Sequence, residues 1–478
     1  MITFIACLAI LIIGYFTYGT YVDKNVKLSD DNQTPAVRLE DGVDYMPMPW
    51  YKVFLIQFLN IAGTGPIFGA IMGALFGPVA FLWITFGTIF AGGVHDYLSG
   101  VISMKHDGTS VSEIVGIYLG DGMKNVMRVF SVILLILVGT VFVTSPAGLL
   151  TSMTGLNKNI WVVLIIIYYI VATVLPVDKV IGKIYPIFGA SLLFMAIGLA
   201  GAMMIGHFNG SMVMPEMTLQ NLHPSGLSIF PFLFTTIACG ALSGFHATQS
   251  PMMARCIHRE SESKKVFYGA MVVEGIVALI WCAVTIAFFG ESGVIQSALD
   301  GFGGQSGVVG HISKELLGPI GAVLAVLGVV ACPITSGDTA FRSARLTIAD
   351  AFNIKQEGLL SRFKLAIPLF VVCIFLTTID FNIIWRYFAW SNQTLATIFL
   401  WTATVYLIKN QANYWIALIP ATFMSSVCVS YILQAPEGFR LNAMFSNGVG
   451  VVAAIVLFVL FMLNKNKLIK NKDSKNIA

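Results

Sequence analysis

Long apolar runs recur along nearly the whole chain and decide what it can fold into. Each is about 17 to 25 residues long, enough to cross a hydrocarbon core of about 30 Å as a helix. Of the 478 residues, 57% are hydrophobic and 11% are charged, whereas soluble domains have about 25% charged residues. The alternating pattern of a membrane barrel is absent. The sequence therefore predicts an all-α polytopic membrane protein.

Thirteen spans are predicted, with ends uncertain by about four residues. They cover 2–21, 51–77, 79–102, 126–152, 159–176, 181–206, 230–257, 264–290, 307–336, 363–380, 384–408, 413–434 and 440–463. The first run has no basic segment before it and no small-residue cleavage site after it, so we interpret it as a retained helix.

Lysine and arginine collect on one predicted face of the membrane, if the thirteen helices alternate in direction. The exceptions toward the other face are Lys158, Lys314, Arg386 and Arg440. The positive-inside rule then places the lysine-rich tail in the cytoplasm and the amino terminus outside. The seven cysteines are scattered without CxxC spacing, so we interpret them as small packing residues.

Two of the apolar spans contain glycine and proline where a membrane helix would be expected to continue. The first is NIAGTGPIFGAIMG at 60–73, and the second is TTIACGALSGFHATQSP at 235–251. An interrupted helix frees backbone N–H and C=O groups, which is costly if they face lipid. The breaks are therefore expected beside a cavity or another helix.

The two breaks begin two sets of five spans, which predicts an inverted repeat because five is odd. The third spans of the sets also correspond, with FVTSPAG at 142–148 and CPITSGD at 332–338. The predicted organisation is an extra helix and loop at 1–50, a first repeat at 51–206, an extracytoplasmic connector at 207–229, a second repeat at 230–408, and two extra helices with a basic tail at 409–478.

Paired interruptions of this kind indicate the binding site of a secondary transporter. The amides of Thr64 and Gly65, just before Pro66, would form a positive helix end suited to an anionic group, and the freed carbonyls could hold a cation. The alternative is a glycine seam that only lets helices approach closely, as Gly69 and Gly73 would.

Five stretches between 61 and 396 carry a family resemblance. They are IAGTGPIFG at 61–69, AGGVHDYLSGVISMKHDGTSVSEI at 91–114, CGALSGFHA at 239–247, SGDTAFRSARLTIAD at 336–350 and SNQTLA at 391–396. In these the chain resembles the carbon starvation protein A (CstA) family of bacterial inner-membrane transporters. The resemblance implies uptake of peptides or pyruvate, in some members with protons, and the five-plus-five inverted repeat of the leucine-transporter fold.

Polar side chains and freed backbone at the breaks are the candidate substrate contacts, because polar groups are rare at membrane depth. His246 could bind a carboxylate or accept a proton, and the amides of Asn392 and Gln393 could read a peptide bond. The structural alternatives are a histidine bonded to a freed carbonyl and amides that link helices. The full set is Ala62, Gly63, Thr64, Gly65, Ser243, Gly244, His246, Gln249, Asn392 and Gln393.

Three residues are candidates for holding a coupling ion. Glu274, about ten residues into the eighth span, could carry a coupling proton. The resemblance to the wider superfamily implies that the hydroxyls of Thr335 and Ser336 could help hold a sodium ion, together with carbonyls near Ala62 and Gly65. The alternatives are a paired structural glutamate and hydroxyls that bond to the preceding turn.

Charged residues at cytoplasmic helix ends are candidates for an inner gate of ion pairs. Asp338, Arg342 and Arg345 cluster at one helix end, and Asp96 lies near another. Alternatively these charges only fix helix ends at the interface, where exposed pairs add little stability.

We expect a secondary active transporter that imports a small carboxylate-bearing nutrient by proton- or sodium-coupled alternating access, with no cofactor or bound metal. A channel is the alternative, since mid-membrane loops also build selectivity filters. A membrane enzyme is disfavoured because no HExxH occurs and the seven histidines are dispersed. No GxxxxGK[ST] segment is present to bind ATP. The expected partners are the substrate and the bilayer, not nucleic acid.

Overall fold

The computed structural model describes residues 1–42, 44–173, 177–352, 354 and 359–470. Within these ranges the chain is a bundle of helices, and its one isolated bridge joins Met48 to Ile257. Eight helices there are long and apolar enough to cross a membrane, or nine if the bent pair Trp50–Ile61 and Thr64–Phe76 is one span. The predicted all-helical membrane architecture is confirmed, while the count of thirteen stays a prediction.

The described part of the chain contains α-helices along nearly its whole length. In chain order they are α1 Ile2–Phe16, α2 Tyr18–Val26, α3 Pro35–Arg38, α4 Trp50–Ile61, α5 Thr64–Gly73, α6 Ala80–Leu82, α7 Gly93–Lys105, α8 Val111–Leu119, α9 Asp121–Thr154, α10 Lys158–Ala172, α11 Val177–Phe208, α12 Phe234–Thr236, α13 Gly244–Ala254, α14 Gly269–Phe289, α15 Ser292–Gly301, α16 Gln305–Ala325, α17 Cys332–Ala351, α18 Leu359–Leu376, α19 Phe381–Lys409, α20 Trp415–Gln434 and α21 Ala443–Lys470. Wider π-helical turns precede four of them, at Trp83–Gly92, Ile229–Leu233, Lys264–Tyr268 and Val326–Ala331.

The largest error in a predicted boundary is at residue 336. The span predicted at 307–336 continues as α17 to Ala351, so the segment at 337–362 that was expected to be a connection begins as helix. Phe341, Ala344 and Ala349 are buried along this extension, which gives it one apolar face and an opposite polar face. A search for uniformly apolar runs does not detect such an amphipathic helix. The lysine-rich tail from 471 lies outside the described residues.

Both predicted breaks are interruptions of helical structure. In the first, α4 ends at Ile61, α5 begins at Thr64, and the two axes differ by 50°. Pro66 lies in the first turn of α5, where its missing N–H costs no helical hydrogen bond. In the second, α12 and α13 are separated by seven residues that include Gly240, whose φ of +87° favours glycine.

The broken helices pack in a reciprocal pattern. The first break is flanked by α14, the second span of the other predicted set, and α13 correspondingly packs on α7. Within each set, α4 contacts α11 and α13 contacts α19, while α9 packs against α17. The two breaks also touch, since a methyl group at Gly65 would lie 2.7 Å from the Cys239 sulfur. The interruptions therefore share one region of the bundle interior.

Candidate functional site

Three ionisable side chains from three helices meet beside the second break. Asp96 of α7, His246 of α13 and Glu274 of α14 are all fully buried. His246 Nδ1 lies 2.7 Å from Asp96 Oδ2, and His246 Nε2 lies 3.4 Å from Glu274 Oε2. The sequence predicted separate roles for these residues in gating, substrate binding and coupling, but the structure brings them into one cluster.

The outer atoms of this cluster are held by further hydrogen bonds. The second oxygen of Asp96 contacts His95 Nδ1 at 2.8 Å, and the amide of Gly240 donates to Glu274 Oε1 at 3.1 Å. Buried charges are costly unless they are paired and hydrogen-bonded. The cluster meets this condition at Asp96, whereas His246 Nε2 and Glu274 Oε2 have no hydrogen-bond partner in the described part of the chain.

A cysteine of the second break completes the cluster. Cys239 Sγ, His246 Nε2 and Glu274 Oε2 all lie within 4.8 Å of one another. Sulfur, imidazole nitrogen and carboxylate oxygen are all ligands of transition metals in proteins. The arrangement can therefore hold either a cation or a proton, and the prediction that Glu274 carries a coupling proton stays a prediction.

Asn392 of α19 satisfies the freed groups of the second break. Its side-chain oxygen accepts from the Phe245 amide at 2.7 Å and from the Ser243 hydroxyl at 3.2 Å. Its amide nitrogen donates to Ser243 Oγ at 3.1 Å. Gly244 packs directly against the Asn392 carbonyl, where a side chain would not fit. The start of α13 is thus capped by protein, as the helix-linking alternative for Asn392 predicted.

The neighbouring amides are buried and only half satisfied. Gln393 donates to the Phe234 carbonyl at 3.0 Å, and Gln249 donates to the Thr248 hydroxyl at 2.9 Å. The side-chain oxygens of both glutamines lack partners among the described residues.

The predicted sodium ligands lie close to α4. Ser336 donates weakly to the Leu59 carbonyl at 3.4 Å, three residues before Ala62. Thr335 instead bonds to the carbonyls of Ala331 and Cys332 in its own preceding turn, at 3.2 Å and 2.8 Å. Only Ser336 therefore faces the first broken helix in this conformation.

The predicted gate residues of α17 lie close to one another, whereas Asp96 lies in the buried cluster with His246. Asp338 and Arg342 approach to 3.6 Å, and Arg342 also donates to the Ala172 carbonyl at 3.3 Å. Arg345 lines the same small recess, next to Thr173. The recess joins α17 to the end of α10, so it could act as a contact that breaks when those helices move apart.

The first break carries polar groups that the sequence analysis missed. Ala62, Gly63, Thr64 and Gly65 are buried, as predicted for a site in the bundle interior. Gln57 and Asn60 were not predicted; both are buried, and each has at least one side-chain atom without a partner in the described ranges. The spacing of three residues along α4 was the available signal, because it places Gln57 and Asn60 on the face that leads to the break.

His95 and Cys239 were also not predicted as members of the cluster around His246. His95 precedes Asp96 directly in an otherwise apolar stretch, and Cys239 lies inside the second break. Their position was visible, but no local spacing indicated that they belong to one cluster.

The segment 209–228, which links the end of α11 to the π-helical turn at Ile229–Leu233, forms the connector between the two predicted repeats. A cavity of about 730 Å³ opens on the side of the bundle that carries this 209–228 connector. It is lined by His223 and Leu227 of the connector and extends inward to Thr236, the last residue of α12. Arg386, on its wall, bonds through Nε to the buried Glu437 at 3.1 Å. The cavity leads from one surface to the second break.

Solved transporters have the same overall fold. The inward-facing conformation of Mhp1 is 14% identical with a TM-score of 0.52, and the alignment covers 90% of this chain and 96% of Mhp1. A Na⁺-coupled sialic acid symporter is 14% identical with a TM-score of 0.51, over 96% of this chain and 97% of the symporter. At such low identity the likeness shows the fold alone.

Other proteins are more similar to this chain in sequence than these two structures are. A membrane protein of uncharacterised function from Haemophilus influenzae is 44% identical over 349 residues, which are 63% of this chain and 94% of the relative. The peptide transporter CstA of Campylobacter jejuni is 26% identical, over 99% of this chain and 86% of its own length. The pyruvate/proton symporter BtsT of Escherichia coli is 27% identical, over 58% of this chain and 47% of its own length.

The family model of the carbon starvation protein CstA matches residues 1–152 and 143–306, well over half of the chain. The match spans the first break, the second break, and the three helices that supply Asp96, His246 and Glu274. The protein is therefore a member of the carbon starvation protein CstA family.

Proposed function

We propose that the protein is a secondary active transporter that imports a small carboxylate-bearing nutrient, either a short peptide or pyruvate, by alternating access. The names of its relatives support both substrates, since one is a peptide transporter and another a pyruvate/proton symporter. The driving gradient is of protons or sodium.

The observation that carries this proposal is the contact between the two breaks at the inner end of a surface cavity. The cavity reaches Thr236, and the residues just beyond it, at Ile237 and Cys239, pack against the glycines of α5. A substrate entering from the connector side would thus arrive at discontinuous helices, whose free backbone groups are the usual binding elements of secondary transporters.

The reciprocal packing supports the proposed inverted repeat. Each broken span contacts the second span of the other set and the last span of its own set, through α14 and α11 for the first break and through α7 and α19 for the second. An approximate two-fold axis between the sets would generate this pairing. It also supports the proposed division into repeats at 51–206 and 230–408.

We place the carboxylate of the substrate at the first break rather than the second. The start of α13 is already capped by Asn392 and Ser243. At the first break the Thr64 hydroxyl, which can donate to a carboxylate, lacks a partner within the described residues. The amino-terminal end of α5 also has the partial positive charge that favours an anion.

The membrane orientation is part of the same proposal. With the amino terminus and the 209–228 connector outside a bacterial inner membrane, the cavity opens to the exterior, as import requires. The gate cluster around Asp338 and Arg342 then lies toward the cytoplasm, where it would open after the substrate is bound.

Uptake into proteoliposomes tests the function. Labelled pyruvate and labelled dialanine are offered under separately imposed proton and sodium gradients, with Gly65→Leu as the inactive control. We expect saturable, concentrative uptake of one of them under one gradient. Flux that does not saturate and ignores both gradients would instead identify a channel, and no uptake of either compound would refute the carboxylate-import proposal.

A further inference from the structure

We propose that Cys239, His246 and Glu274 form a binding site for one divalent transition-metal ion of the zinc type. The three ligand atoms come from the second break, α13 and α14, and are fully or almost fully buried. Nothing in the transport reaction requires this ion, so the site goes beyond the proposed function.

The distance between His246 and Glu274 fits tetrahedral coordination, and the Cys239 sulfur lies within 4.8 Å of both ligand atoms. In a zinc site the bonds to nitrogen and oxygen are about 2.0 to 2.1 Å long, which places two such ligands about 3.3 Å apart. His246 Nε2 and Glu274 Oε2 are 3.4 Å apart and make no hydrogen bond with each other or with any other described residue. The two atoms therefore lie at the separation expected of two ligands of one ion.

Each ligand is also held from behind by a second group. Asp96 contacts His246 Nδ1 at 2.7 Å, the Gly240 amide donates to Glu274 Oε1 at 3.1 Å, and the amide of Asn392 donates to Cys239 Sγ at 3.6 Å. Metal-binding histidines and carboxylates are oriented in this way by hydrogen bonds to their outer atoms. His246 and Glu274 are thus left with their inner atoms facing the common point, while the single sulfur of Cys239 also contacts the Ser243 hydroxyl at 3.5 Å.

The donor set selects the chemical class of the ion. One thiolate, one imidazole and one carboxylate suit a borderline ion such as Zn²⁺ or Co²⁺, whereas Mg²⁺ and Ca²⁺ require oxygen ligands. With three protein ligands, a fourth position remains open. The bound ion would join the second break to α14 and, through Asp96, to α7.

Co²⁺ binding to the purified full-length protein tests the site. The protein is prepared in detergent with a histidine-free affinity tag, treated with a chelator and titrated with Co²⁺. We expect one ion per chain and an ultraviolet thiolate-to-cobalt charge-transfer band. Cys239→Ser abolishes this band, whereas Cys282→Ser, a fully buried cysteine of α14, leaves it unchanged.

A positioning variant separates metal binding from general disruption of the cluster. Asp96→Asn keeps the ligands and is expected to weaken Co²⁺ affinity about 10- to 100-fold at unchanged stoichiometry. Absence of the band in the wild-type protein, or its survival in Cys239→Ser, would overturn the proposal and leave the cluster as a proton site. The readout needs no transport activity, so it is independent of the uptake experiment.

Discussion

At the scale of single residues, Gly65 is the position where the least change should have the largest effect on transport. A Cβ atom there would lie 2.7 Å from both Cβ and Sγ of Cys239, so Gly65→Ala must push the two breaks apart. Overpacking of this kind costs about 1 to 3 kcal/mol. We expect the uptake rate to fall about tenfold or more, as each 1.4 kcal/mol on the barrier does.

The matched control for Gly65→Ala is Gly122→Ala in the first turn of α9. Gly122 is exposed, and an added Cβ would meet no atom within 4 Å. Alanine there should leave uptake unchanged. Normal uptake by Gly65→Ala, at equal amounts of folded protein, would show that the breaks tolerate separation and would remove their contact from the mechanism.

Asn392 is the residue whose loss should destabilise the second break most. Asn392→Ala removes the acceptor of the Phe245 amide and of the Ser243 hydroxyl, and an unsatisfied buried polar group costs about 1 to 3 kcal/mol. We expect a lower thermal unfolding midpoint in detergent. Asn410→Ala, at the exposed residue that follows the end of the same helix, should change the midpoint little; equal effects would argue against the capping role.

Single residues also show the limit of what the sequence could predict for the site. His246, Glu274 and the glycines of both breaks were identifiable, because polar groups and helix breakers are conspicuous in apolar spans. Their partners were not, since Asp96 and His246 are 150 residues apart and come together only through the packing of α7 on α13. Cys239 looked like a packing residue, because nothing local distinguishes a buried thiol from a ligand.

At the scale of elements, the short helix α8 is held on α9 by charges outside the membrane spans. Partial burial alone would raise the pKa of Glu113, but contacts with Lys124 at 2.6 Å and Arg128 at 2.7 Å bring it below the usual 4.5. A carboxylate with a lowered pKa stabilises the folded state at neutral pH and loses this contribution as the pH falls below 4.5.

Glu113→Gln should therefore destabilise the protein at pH 7 and destabilise it less at pH 4. The effect at pH 7 is expected to be at most about 1 kcal/mol, because the ion pairs are partly exposed. Thermal unfolding of both proteins at the two pH values measures it, with the exposed Glu40→Gln as control. A difference that persists undiminished at pH 4 would show that the contribution of Glu113 is not electrostatic.

Elements were predicted best where a single physical signal dominates. The breaks at 62–63 and 237–243 followed from glycine and proline in apolar surroundings, because few other roles exist for them at that depth. The extension of α17 to Ala351 did not follow, because its stability comes from one apolar face in an otherwise polar stretch. That face is recognisable only once α9 is known to pack against it.

At the scale of the whole molecule, the proposed import cycle requires that the cavity communicate with one side of the membrane at a time. The seven native cysteines are all buried, so they give little background in labelling with a membrane-impermeant thiol reagent. Thr236→Cys places a single reactive thiol at the inner end of the cavity. Thr173→Cys places one in the gate recess beside Arg342 on the opposite side.

We expect Thr236→Cys to react when the reagent is added to intact cells, and Thr173→Cys to react only in inside-out vesicles. Substrate should slow labelling at Thr236→Cys, because closure around the bound molecule covers the end of the cavity. Equal labelling of one position from both sides would indicate a continuous pore, and labelling with the sides exchanged would invert the proposed orientation. Mass spectrometry of the modified peptide reads each outcome directly, whichever ion drives the transport.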